Sequence, residues 1–121
     1  TYTALVGDLN IAPHENDVWS HKQLLKIVSH TPIEVEKLNK FQDSLNFIDA
    51  LREFHPLSEK LYSWWSYRSK NWEISDRGRR LDHIWITKKL NKIITKASIE
   101  KDVRRWDRPS DHSPLIADFK F

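Results

Sequence analysis

The hydrophobic period of this chain changes partway along it, and that change limits what it can fold into. Residues Thr1 to Val6 are β-branched and apolar and break at Gly7-Asp8, so a first strand runs into a loop with Asp8 on its rim. Helix-start signals come next. Ser20 and Gln23 have capping-box spacing, and Thr31-Pro32-Ile33-Glu34 combines an N-cap threonine, proline at the first helical position and glutamate at the third. The second of these helices spans Pro32 to Leu45, with Val35, Leu38, Phe41 and Leu45 on one face. Asp49 caps a short helical turn that Pro56 ends. Beyond it the period falls to two. Leu61 to Tyr67 and Arg80 to Thr87 read as an antiparallel pair around the polar Asp76-Arg77-Gly78 loop, and Ile93 to Ile99 as a further strand. Leu115 to Phe121 alternates, with Leu115, Ala117, Phe119 and Phe121 on one side. A strand, then helices, then several strands predicts an α/β fold of the α+β type. Its expected form is one mostly antiparallel or mixed sheet with helices on one face, which excludes a doubly wound parallel sheet.

At 121 residues the chain is one domain, 1–121. No apolar stretch approaches the roughly 20 residues that cross a bilayer, so no membrane partner is expected. The absence of cysteine excludes disulfide frameworks, thiolate zinc sites and cysteine nucleophiles, and together with the lack of a signal-peptide pattern it leads to an expected cytoplasmic location. Methionine is also missing, even at position 1, so the chain is expected to be part of a longer parent. Twenty basic residues against 17 acidic ones give a net charge of +3, which permits a phosphate-rich partner without demanding it. The six tryptophans serve cores and base-stacking surfaces equally well.

Three acidic clusters fall at element ends: Gly7-Asp8-Leu9-Asn10, Arg80-Leu81-Asp82-His83 and Pro109-Ser110-Asp111-His112-Ser113-Pro114. Taken singly, the Gly-Asp and Asp-x-Asn pieces are ordinary turn chemistry. Asp82 differs, because a carboxylate inside an apolar strand needs a donor, and His112 can be that donor. Carboxylate and amide oxygens without thiolates suit a hard cation such as Mg²⁺, and such a set points to phosphoester hydrolysis. The histidines lack the ligand spacing of a zinc site.

Together with Gly7-Asp8-Leu9-Asn10-Ile11-Ala12-Pro13, the segments Tyr62-Ser63-Trp64-Trp65-Ser66-Tyr67-Arg68, Gly78-Arg79-Arg80-Leu81-Asp82-His83-Ile84 and Arg108-Pro109-Ser110-Asp111-His112-Ser113-Pro114 occur in order. This series closely resembles the C-terminal half of the exonuclease III class of abasic-site endonucleases. The resemblance covers essentially the whole chain. It implies half of a four-layered α/β sandwich, Mg²⁺ or Mn²⁺ as cofactor, and double-stranded DNA with abasic sites or 3′ ends as partner, in a cytoplasmic, nucleoid-associated enzyme. By the resemblance Asp8 activates the attacking water, Asn10 orients it and touches phosphate or metal, Asp82 partners His112, and His112 contacts the scissile phosphate. The same resemblance groups Asp8, Asn10, Asp111 and His112 around the metal, and sets Trp64, Arg68, Arg79 and Leu81 against DNA.

The first half of the family pattern, with its metal-binding glutamate, has no counterpart here, and neither Glu15 nor Glu34 has the required context. Arg79 stands where several relatives carry an apolar pocket residue. The chain alone is therefore expected to be weakly active or inactive, and to cover an exposed sheet face with a second copy. Two alternatives remain: another metal-dependent phosphoesterase of the same superfamily, acting on inositol lipids or sphingomyelin, and an inert DNA-binding fragment. One of Trp64 and Trp65 is expected in the core, since neighbours on a strand face opposite ways. Arginines 77, 79, 80, 104, 105 and 108 read either as a solvated rim or as clamps on a DNA backbone. His14, His21, His30 and His55 read as surface or capping residues.

Overall fold

The computed structural model describes residues 1–121 and divides the strands between two antiparallel sheets. Strand β1 (Ala4–Asp8), strand β2 (Ile48–Asp49) and strand β3 (Asp82–Ile86) form one sheet in the order β1-β3-β2, while β4 (Ile94–Ile99) and β5 (Leu115–Phe119) form the other. The helices are α1 (His21–Leu24), α2 (Pro32–Ser44), α3 (Ala50–Phe54), α4 (Trp72–Ser75) and α5 (Lys88–Asn91). No helix is long and apolar enough to cross a membrane.

The capping signals act as read. Ser20 Oγ accepts the Gln23 amide at 3.3 Å, and at the start of α2 the Thr31 hydroxyl donates to Glu34 Oε1 at 2.6 Å. Asp49 caps α3 through the Arg52 amide. In β5 the even positions Ile116 and Asp118 are exposed and the odd ones half-buried, as alternation requires; the expected last member, Phe121, lies beyond the strand and is exposed.

Strand β3 is central to the molecule. Ile84 and Ile86 pack with Ala50 and Leu51 of α3, Leu90 of α5 and Ala97 of β4 in the main core. On the opposite face Trp85 meets Phe41 of α2 and Phe47. The antiparallel partner of β3 is β1, paired Ala4 to Ile86, Val6 to Ile84 and Asp8 to Asp82. Gly7 has φ +145°, a backbone setting in which any Cβ is strained although there is space for one.

The expected strand over Leu61 to Tyr67 is reduced to bridges, Trp64 to Arg79 on one side and Trp64 to His112 on the other. Ser63 explains the break. Its hydroxyl accepts the amides of Leu81 at 3.0 Å and Asp82 at 3.1 Å, so a side chain occupies the place of the next ladder carbonyl. A smaller core of Ala12, Val18, Leu24 and Leu81 lies under Trp19 and Trp64.

Two arginines expected at a solvated rim or on DNA are interior. Arg80 is fully buried, with Nε and Nη2 on the two oxygens of buried Asp17 at 2.8 and 2.9 Å and further bonds to Asp49. Arg104 is buried over Trp72 and Tyr67, donating to the Trp65 carbonyl. The acid that makes Arg80 structural lies 63 residues away, and no local pattern couples them.

Candidate active site

Asp8, Asp82 and His112 meet where β1 and β3 end against the loop before β5. The β1–β3 register sets Asp8 opposite Asp82, and the Trp64 bridge brings in His112. His112 Nδ1 lies 2.7 Å from Asp82 Oδ2, the pairing expected of a carboxylate that orients an imidazole. That oxygen also accepts from the Ser63 hydroxyl at 2.7 Å, so Asp82 has two donors in its half-buried setting. Because the Nδ1 proton points at Asp82, Nε2 is the free end of the ring. It faces Asp8 Oδ2 at 3.7 Å and Asp111 Oδ1 at 3.9 Å.

Local hydrogen bonds hold the other members. Asp8 Oδ1 accepts the Asn10 amide at 2.9 Å in an Asx turn, and Asn10 itself adopts φ +57°, a left-handed setting that asparagine tolerates better than most residues. Asp111 Oδ2 accepts from the indole of Trp64 at 2.9 Å. The closest cluster of ligand-capable atoms is Asp8, Asp82 and His112, all within 4.8 Å of one another. This differs from the expected set by including Asp82, yet Asp82 Oδ2 is already engaged by Ser63 and His112. Asp8, Asp111 and the adjacent Asn10 supply hard oxygen donors, so their chemistry fits Mg²⁺ or Mn²⁺.

A groove of about 780 Å³ adjoins the site, lined by Trp19, Trp64, Trp72, Arg68, Arg77 and Arg79 among others. Trp64, Arg68 and Arg79, expected against DNA, line this one groove. Trp65, only 2% exposed, is the core member of the pair. Arg79 stacks over Trp64 and donates to the Val28 carbonyl and Ser29 hydroxyl; the burial that goes with this lowers its pKa. Leu81 is a correction. At 6% exposure it packs in the core beneath Trp64 and presents little surface, because side chains alternate and Asp82 takes the other face.

Of the histidines expected at the surface or at caps, His14 and His55 do cap helical turns, and His30 is the exception. His30 is 2% exposed, not a surface group, and bonds the Ala12 carbonyl and His21. His55 lies between Glu59 and the Ala97 carbonyl. His83, beside Asp82, is 1% exposed and bonds the Ile11 carbonyl at 2.8 Å; burial first, then the Arg80 charge, push its pKa down to about 4. Its place between Asp82 and Ile84 in an apolar run was the available signal.

The chain that brings this carboxylate-oriented histidine beside a basic, tryptophan-lined groove matches the Endonuclease/Exonuclease/phosphatase family over residues 2–112 and belongs to it. Among its relatives, the exodeoxyribonuclease III of Haemophilus influenzae is 33% identical over 96% of this chain and 45% of its own length. A DNA repair nuclease of Danio rerio is 31% identical over 92% of the chain and 34% of its own length. An AP endonuclease structure from Archaeoglobus fulgidus superposes with a TM-score of 0.95 at 31% identity, covering all of this chain and 46% of that one. A 3′ phosphatase from Neisseria, bound to a product DNA hairpin, gives a TM-score of 0.92 at 28% identity over 99% of this chain and 46% of its own. The chain therefore spans about half the length of these relatives, or less.

Proposed function

We propose that the parent protein is a DNA repair nuclease that hydrolyses the phosphodiester 5′ to an abasic site and removes nucleotides or phosphate from 3′ ends. The observation that carries this reading is the 2.7 Å Asp82–His112 bond with Asp8 3.7 Å from the free end of the ring. Asp8 accepts the proton of the attacking water. The water oxygen bonds to phosphorus as the bond from phosphorus to the 3′ oxygen breaks, and the leaving oxygen takes a proton from solvent water, giving a 3′ hydroxyl and a 5′ phosphate. His112, protonated and held by Asp82, donates from Nε2 to a phosphate oxygen and offsets the developing charge. Asp8, Asn10 and Asp111, with His112 beside them, would hold Mg²⁺ or Mn²⁺, which would supply charge stabilisation at the phosphate and the leaving oxygen. Trp64, Arg68 and Arg79 hold DNA along the groove, supported by the cationic and aromatic lining.

Residues 1–121 by themselves are proposed to be weakly active, since the family's metal-binding glutamate is not among them. They are also proposed to self-associate over the face beside the site, where Val6 is 65% exposed next to a cleft lined by Ile84, Val103 and Leu115. Light scattering reads the association. The deciding assay is cleavage of duplex DNA carrying one abasic site by the full-length protein, with Mg²⁺ and then with EDTA. Metal-dependent incision supports the reading, and intact DNA under both conditions rejects it.

A further inference from the structure

Two buried histidines grip consecutive carbonyls just after Asn10. His83 Nε2 lies 2.8 Å from the Ile11 carbonyl and His30 Nδ1 lies 2.7 Å from the Ala12 carbonyl. A carbonyl only accepts, so each contact fixes a tautomer: His83 carries its proton on Nε2 and His30 on Nδ1. The second nitrogen of each ring is consistent with this. His30 Nε2 accepts from His21 Nδ1 at 2.7 Å, and His83 Nδ1 is buried without a partner, which an unprotonated nitrogen tolerates better than an N–H.

The two rings come from different elements. His83 belongs to β3, whose Asp82 orients His112, and His30 belongs to the loop that leads into α2. That loop is itself fixed: Glu34 Oε1 accepts the Ser29 amide at 2.9 Å and the Thr31 hydroxyl at 2.6 Å. The Ala12 amide in turn donates to the Ser29 carbonyl at 2.8 Å, so Ala12 is held at both its amide and its carbonyl. Asn10, two residues earlier, is exposed and left-handed; its tie toward β1 is the hydrogen bond its backbone N–H donates to Asp8 Oδ1.

Resting on the nuclease reading, we infer that His30 and His83 are positioning residues, which set Asn10 against the reacting phosphate by clamping the Ile11 and Ala12 carbonyls through opposite ring nitrogens. Two donors on successive carbonyls of an otherwise irregular segment remove its freedom to rotate, and that freedom is what would let the Asn10 amide drift from Asp8 and His112. Neither ring touches substrate in this account.

The opposite tautomers provide the test. Asparagine places an amide N–H where His Nδ1 stands and glutamine where Nε2 stands, so rescue should be crossed: H30N and H83Q restore the clamp, whereas H30Q and H83N do not. In the full-length protein, single-turnover cleavage at saturating abasic-site DNA is expected to fall on the order of 10²-fold for the mismatched variants and to stay within about tenfold for the matched ones, with DNA affinity unchanged. Hydrogen exchange at the Ala12 amide is read alongside and should accelerate only in the mismatched variants; if the His83 variants fail to fold, the His30 pair decides alone. Equal rates and equal exchange for matched and mismatched variants overturn the inference, as do losses that follow melting temperature instead of donor position. A wild-type protein that cuts no DNA rejects the nuclease reading instead, while crossed exchange behaviour would still support the clamp.

Discussion

Replacing Asp17 by asparagine should remove a large share of the protein's stability, although Asp17 is no part of the site. Its two oxygens take three guanidinium contacts, from Arg80 at 2.8 and 2.9 Å and from Arg52 at 2.5 Å, and its side chain is fully buried. Arg80 has a second fork on Asp49 at 3.1 and 2.7 Å, so two arginines and two aspartates balance in the interior. The asparagine leaves one positive charge uncompensated and turns an N–H group toward the guanidinium donors. Breaking a buried pair in this way costs about 3–5 kcal/mol, against a total stability of about 5–15 kcal/mol for a domain. Urea unfolding of the full-length Asp17→Asn protein measures the loss. The same pair gives an acid dependence. Burial raises the Asp17 pKa, but the Arg80 charge and hydrogen bonds, with Arg52, outweigh it and the net shift is downward. The contribution is therefore complete above the unfolded value of about 3.9 and disappears as pH falls through the lower folded value. A loss below about 1 kcal/mol, the size of an exposed ion pair, would refute the assignment of this network to the interior.

His83, with a folded pKa of about 4, stays neutral where an unfolded histidine begins to charge at about 6.5. Its contribution, on the order of 3 kcal/mol, is full above the unfolded value and is lost as pH falls toward the folded one, so H83Q should flatten the melting temperature between those limits. Trp64→Phe keeps the ring but removes the indole donor to Asp111 Oδ2; the Mg²⁺ concentration for half-maximal cleavage should rise by about 10- to 100-fold. In Gly78→Ala the new Cβ would lie 2.6 Å from ring atoms of Tyr62, and overpacking of about 1–3 kcal/mol should appear in urea denaturation.

What the sequence revealed and what it hid divide along a physical line. Interactions within one turn or one strand were legible: the Thr31–Glu34 cap, the alternation of β5, and Gly7-Asp8 as a strand end. The Asp82–His112 pairing was also legible, across 30 residues, because a carboxylate in an apolar run demands a donor and few candidates existed. The partner of β3 was not. Nothing local distinguishes Leu61–Tyr67 from Ala4–Asp8 as its neighbour, and the outcome turns on the Ser63 hydroxyl taking two backbone amides. Buried Arg80 and buried His30 were hidden for the same reason, since each is satisfied by a group far along the chain.

The direct pairing of Asp8 with Asp82 makes the geometry of this site discrete. A strand cannot slide by a fraction of a residue, and a slip of one would turn Asp8 to the opposite face along with every side chain of β1. The spacing of the two acids is therefore inherited unchanged or lost altogether. Gradual variation in what the protein accepts must come from parts that can move by small amounts, the groove side chains and the irregular loops, while the acid pair behaves like a fixed gauge. The same constraint applies to anyone redesigning the protein: substitutions around Trp19, Arg68 and Arg79 can reshape the groove in small steps, whereas an insertion within β1 or β3 should abolish the site in a single step.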